Sequence, residues 1–128
     1  MIVIPVSLGE LMDKISILEI KMAMVKDEEQ FDWIRDEWHT LIQIRELYVQ
    51  ETGIVLSELL SQKLYALNLT LWNLHNDLRQ KMQAFEYDEE FTELTVALCH
   101  TNDLRADLKD EITALDDSPS HREMKSYT

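Results

Sequence analysis

Residues 91–115 read FTELTVALCHTNDLRADLKDEITAL. Phe91, Leu94, Leu98, Thr101, Arg105, Leu108, Ile112 and Leu115 recur at spacings of 3 and 4. That spacing places all of them on one side of a helix. Six of the eight are apolar, as a packed seam requires, and Thr101 and Arg105 are not. An arginine turned into a helical core needs a carboxylate, a ligand or a water-filled gap, because an unpaired buried charge is very costly. The stretch therefore predicts both a core helix and a polar interruption within it.

The preceding stretch predicts its partner. Leu60, Leu64, Leu67, Leu71, Leu74, Leu78, Met82 and Phe85 hold a second seam over about seven turns, with Ser57 placed to cap it. Tyr65, Leu69 and Trp72 form another apolar patch on the far side of that helix. Glu86-Tyr87-Asp88 reads as a turn, so these two helices form a long hairpin, the last running from about Glu89 to Leu115.

Upstream, Ile2-Val3-Ile4-Pro5-Val6 is β-branched and interrupted by proline, which predicts a short extended arm over residues 1–6. Ser7-Leu8-Gly9-Glu10 matches a capping box, with Val6 and Leu11 spaced as a hydrophobic staple. A first helix from about Leu8 to Val25 carries Leu8, Leu11, Ile15, Leu18, Met22 and Val25 on one side and Ile17, Ile20 and Met24 on the other. A helix apolar on two sides is central in its domain or is also covered by another chain. Lys26 to Glu29 is a polar connection to a less regular helix, from about Glu29 to Glu51, which Thr52-Gly53 ends.

Four amphipathic helices with short links predict an all-α, antiparallel four-helix bundle. One domain over residues 1–115 and a polar tail over 116–128 account for the chain of 128 residues. The second stripes on the first and third helices exceed what one small bundle covers, so a two-fold homodimer is expected, the alternative being that the N-terminal arm and C-terminal tail cover them within one chain.

Composition excludes several classes. The net charge is −13, with 25 acidic residues against 12 Lys plus Arg. Such a surface repels phosphate backbones and anionic membranes, so no nucleic-acid and no membrane partner is expected. No apolar run approaches the roughly 18 residues of a membrane span, and no signal-peptide pattern opens the chain, which predicts a cytoplasmic protein. The single cysteine, Cys99, allows no internal disulfide and reads as a small filler or a partly exposed thiol, with a nucleophile as the functional alternative.

Two sets of residues are candidates for a site. In the first, Thr101 and Arg105 face the seam, Asn102 flanks it, and His100 and Asp103 turn away. The planar fork of Arg105 suits a carboxylate or phosphate, with Thr101 and Asn102 as neutral partners. The structural alternative is a buried ion pair with Glu10, Asp13, Glu19 or Asp77. The second set is Trp72, Asn73, Asn76, Asp77 and Arg79, a composition used by sugar sites and also by interface helices. No metal or other cofactor is expected: Glu-x-x-His is absent, and Asp36/His39 and His100/Asp103 supply only pairs three apart. Zinc signatures, Gly-rich phosphate loops and a serine nucleophile elbow are also missing.

The segments Ile4-Pro5-Val6-Ser7-Leu8-Gly9-Glu10-Leu11, Asp13-Lys14 and Ile17-Leu18-Glu19-Ile20-Lys21 resemble the opening of an uncharacterised family of short bacterial helical proteins, a domain of unknown function. Leu71-Trp72, Asp77, Arg79, His100-Thr101-Asn102-Asp103, Arg105-Ala106, Leu108-Lys109, Glu111-Ile112 and Lys125-Ser126-Tyr127 extend the resemblance. Leu104 departs from it, where the family often has a basic residue. The resemblance implies a link to surface polysaccharide, since similar segments accompany glycosyltransferase-like proteins. With the motifs on neighbouring helices, Glu10, Asp13, Lys14, Asp77, Asn102, Asp103 and Arg105 are expected to form one polar cluster. The leading expectation is a non-enzymatic, homodimeric helical module that binds a protein partner or a small anion. The alternative is an enzyme or accessory subunit acting on a sugar or phosphate compound, with Arg105 holding the anion and His100 or Asp103 as acid or base.

Overall fold

The computed structural model describes residues 1–116. It contains α1 (Leu8–Met24), α2 (Glu28–Thr52), α3 (Glu58–Gln83) and α4 (Glu89–Thr113), packed as an all-α four-helix bundle. The ends follow from local chemistry. Ser7 caps α1 by accepting from the Glu10 amide at 3.2 Å. Ser57 does the same for α3 through Leu59, and Asp88 for α4 through Phe91. Gly53 ends α2 at φ 72°, a left-handed conformation that suits glycine, and donates to the Val49 carbonyl.

Helix directions alternate along the chain, yet the neighbours are not those of a square bundle. The backbone of α1 runs close to α2, α3 and α4, that of α3 close to α4, and that of α2 close to α1 alone among the helices. α1 is thus the central member. The near end of its core is Leu8, Leu11, Met12 and Ile15 against Leu64 of α3 and Leu108 and Ile112 of α4. Trp38, Leu41, Ile42 and Tyr48 of α2 pack on that cluster from the other side. Both apolar sides of α1 are used within one chain as far as Ile20, only 1% exposed, while Met24 at the helix end is 42% exposed.

The approach of α1 to α4 is set by Gly9. Its amide donates to Thr113 Oγ1 at 2.9 Å. A Cβ at this position would strike the Lys109 carbonyl oxygen and lie 2.6 Å from Thr113 Oγ1. Only a residue without a side chain lets the two backbones close to this distance.

At the far end, α3 and α4 outrun α1, with 26 and 25 residues against 17. Their turn is organised by Lys81, whose ammonium lies 3.1, 2.9 and 3.0 Å from the carboxylates of Glu86, Asp88 and Glu90. These three contacts raise the Lys81 pKa above its ordinary value, led by Asp88. Phe85 adopts φ 56° just past the end of α3, and the Glu86 amide donates back to the Lys81 carbonyl. This is a left-handed helix stop with a phenylalanine where glycine is usual.

The structure corrects four expectations of detail. Met82 and Phe85 do not continue the α3 seam: they are exposed, because α1 ends before it can cover them. Leu115 lies past the end of α4 and is exposed as well. The staple fails because Val6 is 49% exposed, and all of Met1–Val6 lies open to solvent. The Glu10 carboxylate turns to Lys109 of α4, a stronger partner than the backbone amide that a reciprocal capping box would offer it. Of the tail, Asp116 is described, and it accepts a hydrogen bond from the Tyr48 hydroxyl. Residues 117–128, including the expected Lys125-Ser126-Tyr127 motif, lie outside the described residues.

Two substitutions test this packing by urea denaturation. Gly9→Ala should lower stability by about 1–3 kcal/mol through overpacking, against the roughly 1 kcal/mol gain that helix propensity alone predicts. Phe85→Gly should raise stability by about 1 kcal/mol by relieving the left-handed strain.

Candidate functional site

α1, α3 and α4 bring one polar cluster into the core. Asp13 projects from the buried side of α1, and its side chain is only 7% exposed. Asn68 on α3 is buried beside it. The Asn68 amide nitrogen donates to Asp13 Oδ1 at 2.9 Å and to Ser16 Oγ at 3.2 Å. The Asn68 amide oxygen accepts from Arg105 Nη1 at 3.4 Å. Each end of the amide faces the group it can serve, nitrogen to carboxylate and oxygen to guanidinium.

Lys109, one turn beyond Arg105 on α4, closes the cluster. Its ammonium is 2.6 Å from Glu10 Oε1 and 3.6 Å from Asp13 Oδ2. The Lys109 contact, the largest cause, holds the Glu10 carboxyl below its ordinary value of 4.5, with smaller help from Lys14 and Arg105. Asp13 is thus answered by an amide on one oxygen and an ammonium on the other. This arrangement lets a carboxylate sit among Leu11, Met12 and Ile15 without an unpaired charge.

Arg105 is half-buried, and its nearest described polar partner is neutral. It forms no ion pair with Glu10, Asp13, Glu19 or Asp77 among the described residues. Among the described residues, the guanidinium Nε and Trp38 Nε1 are buried side-chain donors with no acceptor in reach. Thr101 is buried one turn earlier and returns its hydroxyl to the Ala97 carbonyl at 2.7 Å.

The cluster differs from the expected one. Glu10, Asp13 and Arg105 are brought together, through Asn68 and Lys109 as intermediaries. Lys14, Asn102, Asp103, His100 and Asp77 are exposed outside it. Helical spacing puts His100 and Asp103 on the side of α4 opposite Arg105, so no acid or base stands beside that guanidinium on its own helix. On α3, Trp72 is half-buried and lines a pocket with Lys21, Met24 and Val25 of the α1 end and Gln30 and Ile34 of α2. Asp77 lines a separate groove with Lys81, Glu86 and Glu90. Arg79 is exposed and reaches Asn76 at 3.4 Å.

Asn68, Ser16 and Lys109 were not singled out as candidates from the sequence. A signal existed for two of them. Asn68 stands four residues after Leu64 and three before Leu71, and Ser16 four after Met12 and four before Ile20. Both are polar residues at core spacing. Among the described residues, no group of three or more His, Cys, Asp or Glu side chains is placed to hold a metal ion. Cys99 is exposed and free. No helix of the described residues is long and apolar enough to cross a membrane. No protein-family model, curated protein or solved structure matches this chain.

The cluster yields two measurable outcomes. Asn68→Leu strips Asp13 of its neutral donor and Arg105 of its acceptor, and should cost about 2–3 kcal/mol in urea unfolding. The second is a pH dependence. Because the folded Glu10 carboxyl titrates below 4.5, its contribution is present above that pH and is lost as pH falls through the lower folded value. Stability measured from pH 6 down to about 3 should therefore fall less steeply in Lys109→Met than in the natural chain.

Proposed function

We propose that this protein is a non-enzymatic helical module that acts as a homodimer and engages a protein partner. The observation that carries this reading is the set of large apolar side chains left exposed outside the core. Val55, Leu59, Val96, Leu104, Trp33 and Leu47 are all more than two-fifths exposed, beside the open arm of Ile2, Val3 and Ile4. Where apolar side chains adjoin, as Ala66, Leu67, Leu104 and Leu108 do between α3 and α4, they mark a surface that another molecule covers. The reading gains support from the separation of His100 and Asp103 from Arg105, which leaves the guanidinium without an acid/base partner. The lone exposed Cys99 fits a reducing compartment, and we propose the cytoplasm.

Sedimentation equilibrium at about 0.15 M salt is the test, since the Debye length there is about 8 Å and mutes repulsion between acidic copies. The expected mass is twice that of the 15.1 kDa chain at micromolar concentration. A single species at the monomer mass up to the highest attainable concentration would rule the reading out.

One observation favours a second reading. The buried Nε of Arg105 lacks an acceptor, which suits a small anion drawn to the cluster. If so, inorganic phosphate raises the melting temperature of the natural chain and leaves that of Arg105→Ala unchanged.

A further inference from the structure

The cluster, α1 and α2 occupy one side of the α3–α4 layer. The opposite side carries a mostly apolar groove of about 430 Å³ between the two helices. Ala66 and Leu67 of α3 and Leu104 and Leu108 of α4 form its floor. Leu59, one turn before Lys63 on α3, is 57% exposed and extends the apolar strip. Leu104 itself is 44% exposed.

The rims of this groove are unlike. Lys63 stands on the α3 side, and Asp107 and Glu111 stand on the α4 side. A surface with a cation on one rim and anions on the other is complementary to itself under a two-fold rotation that sets α3 of one copy on α4 of the other. The arm from Met1 to Val6 carries no charged side chain and leaves those rims unanswered. We infer that the groove is the homodimer interface, occupied by the same face of a second copy, with Lys63 of each copy against Asp107 and Glu111 of the other. This inference rests on the dimeric reading above and adds the surface and the pairing.

Charge exchange tests the pairing directly. Lys63→Glu alone, or Asp107→Lys with Glu111→Lys, makes every rim contact repulsive in the homodimer and should weaken it at least about tenfold. Mixing the two variants restores opposite charge at every contact, so the mixture should form a heterodimer with near-natural affinity. Leu104→Asp should also weaken the dimer at least about tenfold, with unchanged helical circular dichroism because the side chain is already exposed. All three are read by sedimentation in the full chain.

The outcomes separate the two claims. A monomeric natural chain overturns both the dimeric reading and the interface. A natural dimer that survives Leu104→Asp overturns the interface alone. A mixture of the charge variants that stays monomeric overturns the α3-on-α4 pairing.

Discussion

A carboxylate in the middle of a helical core fixes the arrangement of this protein. Asp13 is buried among leucine, methionine and isoleucine, where an unanswered charge would be far too costly to keep. Its two oxygens are answered from two other helices, one by Asn68 of α3 and the other by Lys109 of α4. Sliding either helix past α1 by a turn would break one of those contacts and leave the charge alone. Apolar seams tolerate such slips far better, because leucine replaces leucine. The polar cluster therefore ties the registers of α1, α3 and α4 to one another, the use for which buried ionic groups are best attested.

Close backbone approach makes this geometry possible. Gly9 lets α1 and α4 draw together until an amide on one helix reaches the Thr113 hydroxyl on the other. That contact lies one turn from Asp13 along α1 and one turn from Lys109 along α4. The ammonium can then span Glu10 and Asp13, two carboxylates three residues apart on α1. A bulkier residue at position 9 would separate the helices and lengthen the Asp13 contact, which at 3.6 Å is already the longer of the two. Packing and electrostatics here are one constraint.

The fold was legible in the chain because its seams are long and regular. The leucines of α3 and the Phe91–Ile112 stripe of α4 carry a period that nothing but a helix satisfies. Ser7, Gly53, Ser57 and Asp88 mark helix ends by chemistry that acts locally. The site was legible only in part. Arg105 in an apolar seam announced a polar interior, yet its partner proved to be an amide, since Lys109 one turn on had taken the carboxylates. Choosing between two cations on one helix depends on the rotation and spacing of α1 against α4, which Gly9 sets. That information lies in a tertiary contact and not in the period of either helix.

The neighbour relations explain why apolar surface remains. A square bundle would set α2 against α3 and share the lipophilic faces evenly. Here α1 lies directly on α3, held by Asp13, Ser16 and Asn68, and α2 is displaced to the outer side of α1. The two-sided apolar character of α1 is then consumed internally, and no longer argues for a second chain. Among the surfaces that stay uncovered is the back of the α3–α4 layer, which α2 does not reach from its place on α1. The buried polar contact that fixes α1 on α3 thus also decides which face of the molecule is left open. That face is the one whose charges, a lysine on one helix and two acids on the other, match their own image.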